Sequence, residues 1–163
     1  MIIRSILAAI DGSVRSAAVL ELASEMAGRF SATLKVVRVV QLPPEFPAAA
    51  AGAPPDALPA HLTHEAIAEV RSIASNTPGA APFDEPIVRF GQPWREILLL
   101  AHEMDVDLII VGSHGYYGWD RILGTTAGKV ANLADRNVLV VHERGRAPSL
   151  AKPGGSSPAT GKP

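Results

Sequence analysis

At 163 residues the chain has the length of one domain with a single core. A formal net charge of -1 and a pI near 6.5 give it no general attraction for nucleic acid or an anionic membrane, and the absence of cysteine excludes disulfides, thiol catalysis and thiolate metal sites. With 47% hydrophobic but only 5% aromatic residues, the core has to be built from Ala, Val, Leu and Ile, as in parallel-sheet α/β proteins.

The opening MIIRSILAAID is interrupted by Arg4 and closed by Asp11 before a signal-peptide core can form, so it reads as a buried first strand from Ile2 to Ile10. Asp11-Gly12-Ser13 ends that strand, with Ser13 placed to cap a helix whose apolar stripe is Val19, Leu22, Ala23, Met26, Ala27 and Phe30. Thr33 to Val40 is a second β-rich run. The Pro- and Ala-dense stretch 42–60 keeps neither period and is expected to be a long surface loop near the carboxyl end of strand two. A second helix is predicted from His61 to Asn76 and a short third strand from Pro86 to Phe90. Gly91-Gln92-Pro93 then turns into a helix bearing Trp94, Ile97, Leu98, Ala101 and Met104 on one face. Val106 to Val111 is a nearly unbroken apolar run, the pattern of a strand covered on both faces. Gly112, Gly115 and Gly118 follow it, and Gly124, Thr125 and Thr126 open a helix carrying Leu123, Ala127, Val130, Ala131 and Ala134. Asn137 to Val141 is the last strand, and residues 144–163 are expected to be a disordered tail. No run approaches the roughly 20 apolar residues of a membrane-spanning helix.

This alternation implies a doubly wound, Rossmann-like α/β domain over residues 1–143, with a five-stranded parallel sheet of order 3-2-1-4-5 and helices on both faces. Ligands of such sheets bind beyond the carboxyl ends of the strands where the order reverses, here between strands one and four. Asp11 and Gly112 leave those two strands. Glycines after strand four allow positive φ and close backbone approach, and the amides and hydroxyls at Thr125 and Thr126 suit an anion, while His114 reads as an exposed loop histidine or a further phosphate contact. A plain strand-to-helix turn with capping threonines accounts for the same residues.

A first strand ending in Asp11-Gly12-Ser13, the run DLIIVGSHG, a Gly-x2-Gly-x9-Gly-Ser/Thr type of motif and a closing NVLVV together resemble the universal stress protein family from Ile2 to His142, apart from the Pro-rich loop. The resemblance implies an adenine-nucleotide-binding protein of the stress response. Its ligand is ATP, with or without Mg2+, and Asp11 lies near the adenosine, the Val39 backbone at the adenine edge, and Gly112, Gly115, Gly124 and Thr125 at phosphates and ribose. It also implies a cytoplasmic location, a homodimer joined through Asn137 to Val141, and nucleotide-dependent choice of an unidentified protein partner. Two departures stand out. Eight residues separate Gly115 from Gly124 where the ATP-binding pattern has nine, and Ala9 occupies a position where many members have proline. Tyr116, Tyr117 and Trp119 make the loop aromatic, which suits packing of the shortened loop or a cover for the nucleotide.

Other candidate chemistry is thin. GTTAGKV is not a Walker A loop, since Gly124 and Gly128 are separated by three residues and Val130 follows Lys129. Lys129 reads as a solvated lysine or a phosphate contact. HLTHE lacks the histidine pair of an HExxH site, so His61, His64 and Glu65 read as helix surface and no metal site is expected. Asp105 and Asp107 read as turn and boundary residues. No nucleophile-base-orienter set is visible, which leaves at most weak ATP hydrolysis, and the HxGH and SGGxDS elements of adenylyl transfer are missing. Two classes remain: an ATP-binding stress protein, or a dimeric interaction module of the same fold that does not use nucleotide.

Overall fold

A computed structural model describes residues 2–41, 60–113 and 126–142. The loop 42–59, the glycine-loop residues 114–125 and the tail 143–163 lie outside the described residues, and with them the expectations of a long surface loop, an aromatic glycine loop and a disordered tail. The strands are β1 (Ser5–Ile10), β2 (Thr33–Val40), β3 (Ile87–Phe90), β4 (Leu108–Gly112) and β5 (Asn137–Val141). Between them lie α1 (Ser16–Phe30), α2 (Ala60–Ser75), α3 (Pro93–Glu103) and α4 (Thr126–Leu133). The strands form one sheet of order β3-β2-β1-β4-β5, and every neighbouring pair is parallel. The expected order is therefore the observed one.

Alternation along the strands divides the core into two layers. Ile6, Ala8, Ile10, Leu34, Val36, Leu108 and Ile110 project to one side, against Val19, Leu20, Ala23 and Ala27 of α1 and Val70 of α2. Leu7, Val37, Val39, Ile109 and Val111 project to the other, against Ile97, Leu100 and Ala101 of α3 and Ala127 and Val130 of α4. Helices thus cover both faces, as doubly wound topology requires. The helix stripes differ in detail from their sequence reading. Leu20 and Leu100 are buried although the stripe assignments passed over them, while Phe30 at the end of α1 is 47% exposed.

β1 starts at Ser5 rather than Ile2, and Ile2 is 77% exposed. The Asp107 carboxylate explains the boundary: its Oδ2 accepts from the Arg4 and Ser5 amides at 2.8 and 3.0 Å, tying the start of β1 to the entry of β4. Asp105 takes the left-handed conformation (φ 46°) just after α3 and turns the chain toward β4. Arg136 straps the same end of the molecule. Its Nη1 donates to the Ala101 and Val106 carbonyls at 2.7 and 3.0 Å, so a side chain between α4 and β5 holds the α3–β4 connection.

Candidate functional site

The carboxyl ends of β1, β2 and β4 open into a crevice of about 400 Å3 at the point where strand order reverses. Its walls include Asp11, Arg38, Val39, Gly112, Ser113 and Thr126, drawn from distant parts of the sequence. Hollows of about 510 and 690 Å3 lie beside α2, around Arg71 and Glu85, away from the strand ends. The crevice is the candidate site because topology converges backbone ends and polar side chains there.

Asp11 sits in a turn that its own side chain helps to fold. Its Oδ1 accepts from the Ser13 amide at 2.9 Å and from the Ser16 hydroxyl at 3.1 Å. Ser16 Oγ in turn accepts from the Gly12 amide at 3.1 Å and the Asp11 amide at 3.3 Å. Ser16 is 1% exposed, so this small network is the means by which a hydroxyl is carried into the α1 side of the core. Ser13 does not cap α1, contrary to expectation. The helix starts at Ser16, the flanking Arg15 makes no side-chain cap bond, and Ser13 Oγ accepts from the Arg15 amide within the turn. Gly12 has φ 79°, a conformation that favours glycine, and a Cβ there would lie 2.1 Å from Glu69 Oε1, so that carboxylate would have to move aside.

At the β2 edge Val39 is buried and is among the residues that line the crevice. The Val40 carbonyl accepts from the Gly91 amide on the β3 side; the Val39 carbonyl, one residue earlier, faces the opposite way, toward β1. It already accepts from Arg38 Nη1 at 3.0 Å, and Arg38 Nε pairs with Glu69 at 2.9 Å. Sequence reasoning overlooked Arg38. A charged residue among the four valines near the carboxyl end of β2 was the available signal.

Gly112 is the last residue of β4, and its φ is not in the left-handed region. The expectation of positive φ after strand four therefore fails at this glycine. A Cβ here would come within 3.2 Å of Val19 Cγ2, so its glycine serves the packing of α1 on the sheet. Thr126 is the first residue of α4 and lines the crevice, as its predicted place at a helix start requires. Asp11, Val39, Gly112 and Thr126 are thus brought to one cleft, while His114, Gly115, Gly124 and Thr125 lie outside the described residues. Lys129 lies 5.4 Å from the centroid of the Trp94 ring, an α3–α4 contact that gives it a structural partner. A further pair escaped sequence reading because its members are 29 residues apart: Ser113 Oγ and His142 Nδ1 stand 2.8 Å from each other.

A parallel five-stranded sheet of this order, with its crevice at the reversal point, defines a doubly wound α/β domain of the Rossmann-like class. The model of the universal stress protein family matches residues 3–142, and the chain belongs to that family. It is 32% identical over 140 residues to universal stress protein A homolog 1 of Coxiella burnetii, covering 85% of this chain and 95% of that protein. Homolog 2 of the same organism is 39% identical over 84 residues, covering 52% of this chain and 56% of that protein. Among solved structures, a universal stress protein in complex with cAMP superposes with a TM-score of 0.65 at 23% identity, covering 87% of this chain and 98% of that one. UspA from Lactobacillus plantarum gives 0.64 at 25% identity, covering 86% and 99%. Among the described residues no helix is long and apolar enough to cross a membrane.

Proposed function

We propose that the chain binds ATP in the crevice at the ends of β1, β2 and β4, and that this binding changes which protein partner it engages in a cytoplasmic stress response. The observation that carries the reading is the convergence of Asp11, Val39, Gly112 and Thr126 on one cleft of about 400 Å3 at the reversal point. Asp11 and Val39 form the adenosine end; Gly112, Thr126 and the α4 start form the phosphate end, together with Gly115, Gly124 and Thr125 of the glycine motif. The solved relative that holds cAMP supports the reading by fold alone. The residues present suit a nucleotide with or without Mg2+, and a homodimer through β5 belongs to the same proposal. Hydrolysis, if any, is weak.

A second reading is favoured by two specific contacts. The Val39 carbonyl is engaged by Arg38, and Asp11 Oδ1 is engaged within its own turn, so both groups assigned to adenosine already have partners in the chain. In this reading the protein is a dimeric interaction module that makes no use of nucleotide. Calorimetry with ATP, ADP and AMP separates the two. Binding that strengthens with phosphate number supports the ATP reading; no heat from any of the three at millimolar concentration leaves the interaction module.

A further inference from the structure

Ser113 and His142 leave neighbouring strands at the same level. The β4–β5 register ends in Gly112↔Val141, and the Ser113 amide continues it by donating to the Val141 carbonyl at 2.9 Å. Ile109 and Val111 project to the α3 and α4 side of the sheet, as do Val138 and Val140. By the same alternation Ser113 and His142, each two residues further on, continue on that side. This is the side on which α4 begins, and Thr126 and Ser113 both line the crevice. The hydrogen bond between Ser113 Oγ and His142 Nδ1, at 2.8 Å, therefore stands beside the crevice that Ser113 lines, on the face of the sheet that α4 covers.

The chemistry of this pair turns on a single proton. A serine hydroxyl donates once. If Nδ1 is bare, Ser113 gives its proton to the ring and presents only lone pairs to the crevice, which an anion avoids. If Nδ1 carries a proton, the ring donates to Ser113 Oγ, and the hydroxyl proton is released toward the crevice. The Ser113 amide is already used by Val141, so the hydroxyl is the group through which Ser113 acts as a donor. Resting on the nucleotide reading above, we propose that His142 is a positioning residue which, through Nδ1–H, turns the Ser113 hydroxyl into a donor to a phosphate oxygen of the bound nucleotide. Phosphate binding then selects the Nδ1-protonated ring. A charge-assisted hydrogen bond of this kind is shorter and stronger than a neutral one, and it is made only when a phosphate is present.

The test compares ATP with adenosine, by calorimetry on the full chain, for the wild type, Ser113→Ala, His142→Leu and His142→Asn. Asparagine offers an N–H close to the place of Nδ1–H, whereas leucine offers none. Ser113→Ala and His142→Leu should each weaken ATP about tenfold and leave adenosine unchanged, and the double substitution should cost little more than either single one. His142→Asn should recover most of the ATP affinity, a rescue that a merely structural role would not produce. The proposal is overturned if ATP affinity is unchanged in His142→Leu, if adenosine weakens to the same degree, or if Asn is no better than Leu. Wild-type protein that binds neither ATP nor adenosine overturns the nucleotide reading itself, and this assignment with it. A uniform loss of melting temperature in the two His142 variants without the ATP-specific loss also counts against it.

Discussion

Asp107 and Asp135 each carry a carboxyl held below its ordinary value of 3.8, for different reasons. For Asp107 the largest cause is the hydrogen bond from the Arg4 amide, followed by that from Ser5; for Asp135 it is the hydrogen bond from the Arg136 guanidinium. A carboxyl whose folded value is depressed adds stability above its unfolded value and loses it as pH falls through the folded value. The melting temperature should therefore decline as pH is lowered from about 4, the unfolded carboxyl range. Asp107→Asn, followed by circular dichroism between pH 2 and 6 on the order of half-unit steps, should show a shallower decline than the wild type; an identical slope contradicts the assignment. Gly12 gives a second residue-scale outcome. Gly12→Ala places a methyl against Glu69 in a left-handed turn and should cost about 1–3 kcal/mol in urea unfolding. Gly28→Ala, in α1 with nothing within 4 Å of the new Cβ, should instead raise stability by about 0.5–1 kcal/mol. Of the residues at this scale, Asp11 and Gly12 were legible because Asp-Gly-Ser after an apolar run signals a turn. Ser16, Arg38 and His142 were not, since their roles depend on partners that only the folded chain brings near.

The elements were largely legible, because two-sided burial writes itself as continuous apolar runs and helix burial as a repeat of three and four. β4 and β5 illustrate this: LIIVG and NVLVV needed no tertiary information to be read as strands. What periodicity did not fix was where an element stops, as at β1, whose start is set by a carboxylate 102 residues away in sequence. The strap between elements was likewise invisible. Arg136, with its side chain only 12% exposed, links α3 and β4 to the start of β5. Arg136→Ala should remove the guanidinium bonds to the Ala101 and Val106 carbonyls together and lower stability by about 1–3 kcal/mol in urea unfolding; a loss within error of zero contradicts the strap. β5 is an edge strand with an apolar sequence, and an open apolar edge invites another chain. The proposed homodimer predicts twice the chain mass of 17.1 kDa by light scattering at micromolar concentration, and a monomer for Leu139→Lys. Leu139 also packs against the α1 side of the core, so a melting curve has to accompany that variant. A monomeric wild type removes the claim.

On the scale of the whole molecule, strand order is the feature that makes a site. Reversal between β1 and β4 leaves a cleft whose described walls come from residues 9–19, 38–41, 93–97 and 111–113 and from Thr126, and no local pattern encodes that meeting. The alternation of strands and helices did encode it indirectly, since right-handed crossovers leave few topologies open. The central claim is that an adenine nucleotide occupies this cleft. Two-dimensional amide NMR of the full chain titrated with ATP tests it most directly, because it reports binding and location together. The account predicts saturable shifts at the amides of Asp11, Gly12, Val39 to Gln41, Gly112, Ser113 and Thr126, with α2 and the Arg71–Glu85 side undisturbed. Shifts confined to α2, or none at millimolar ATP, would contradict it.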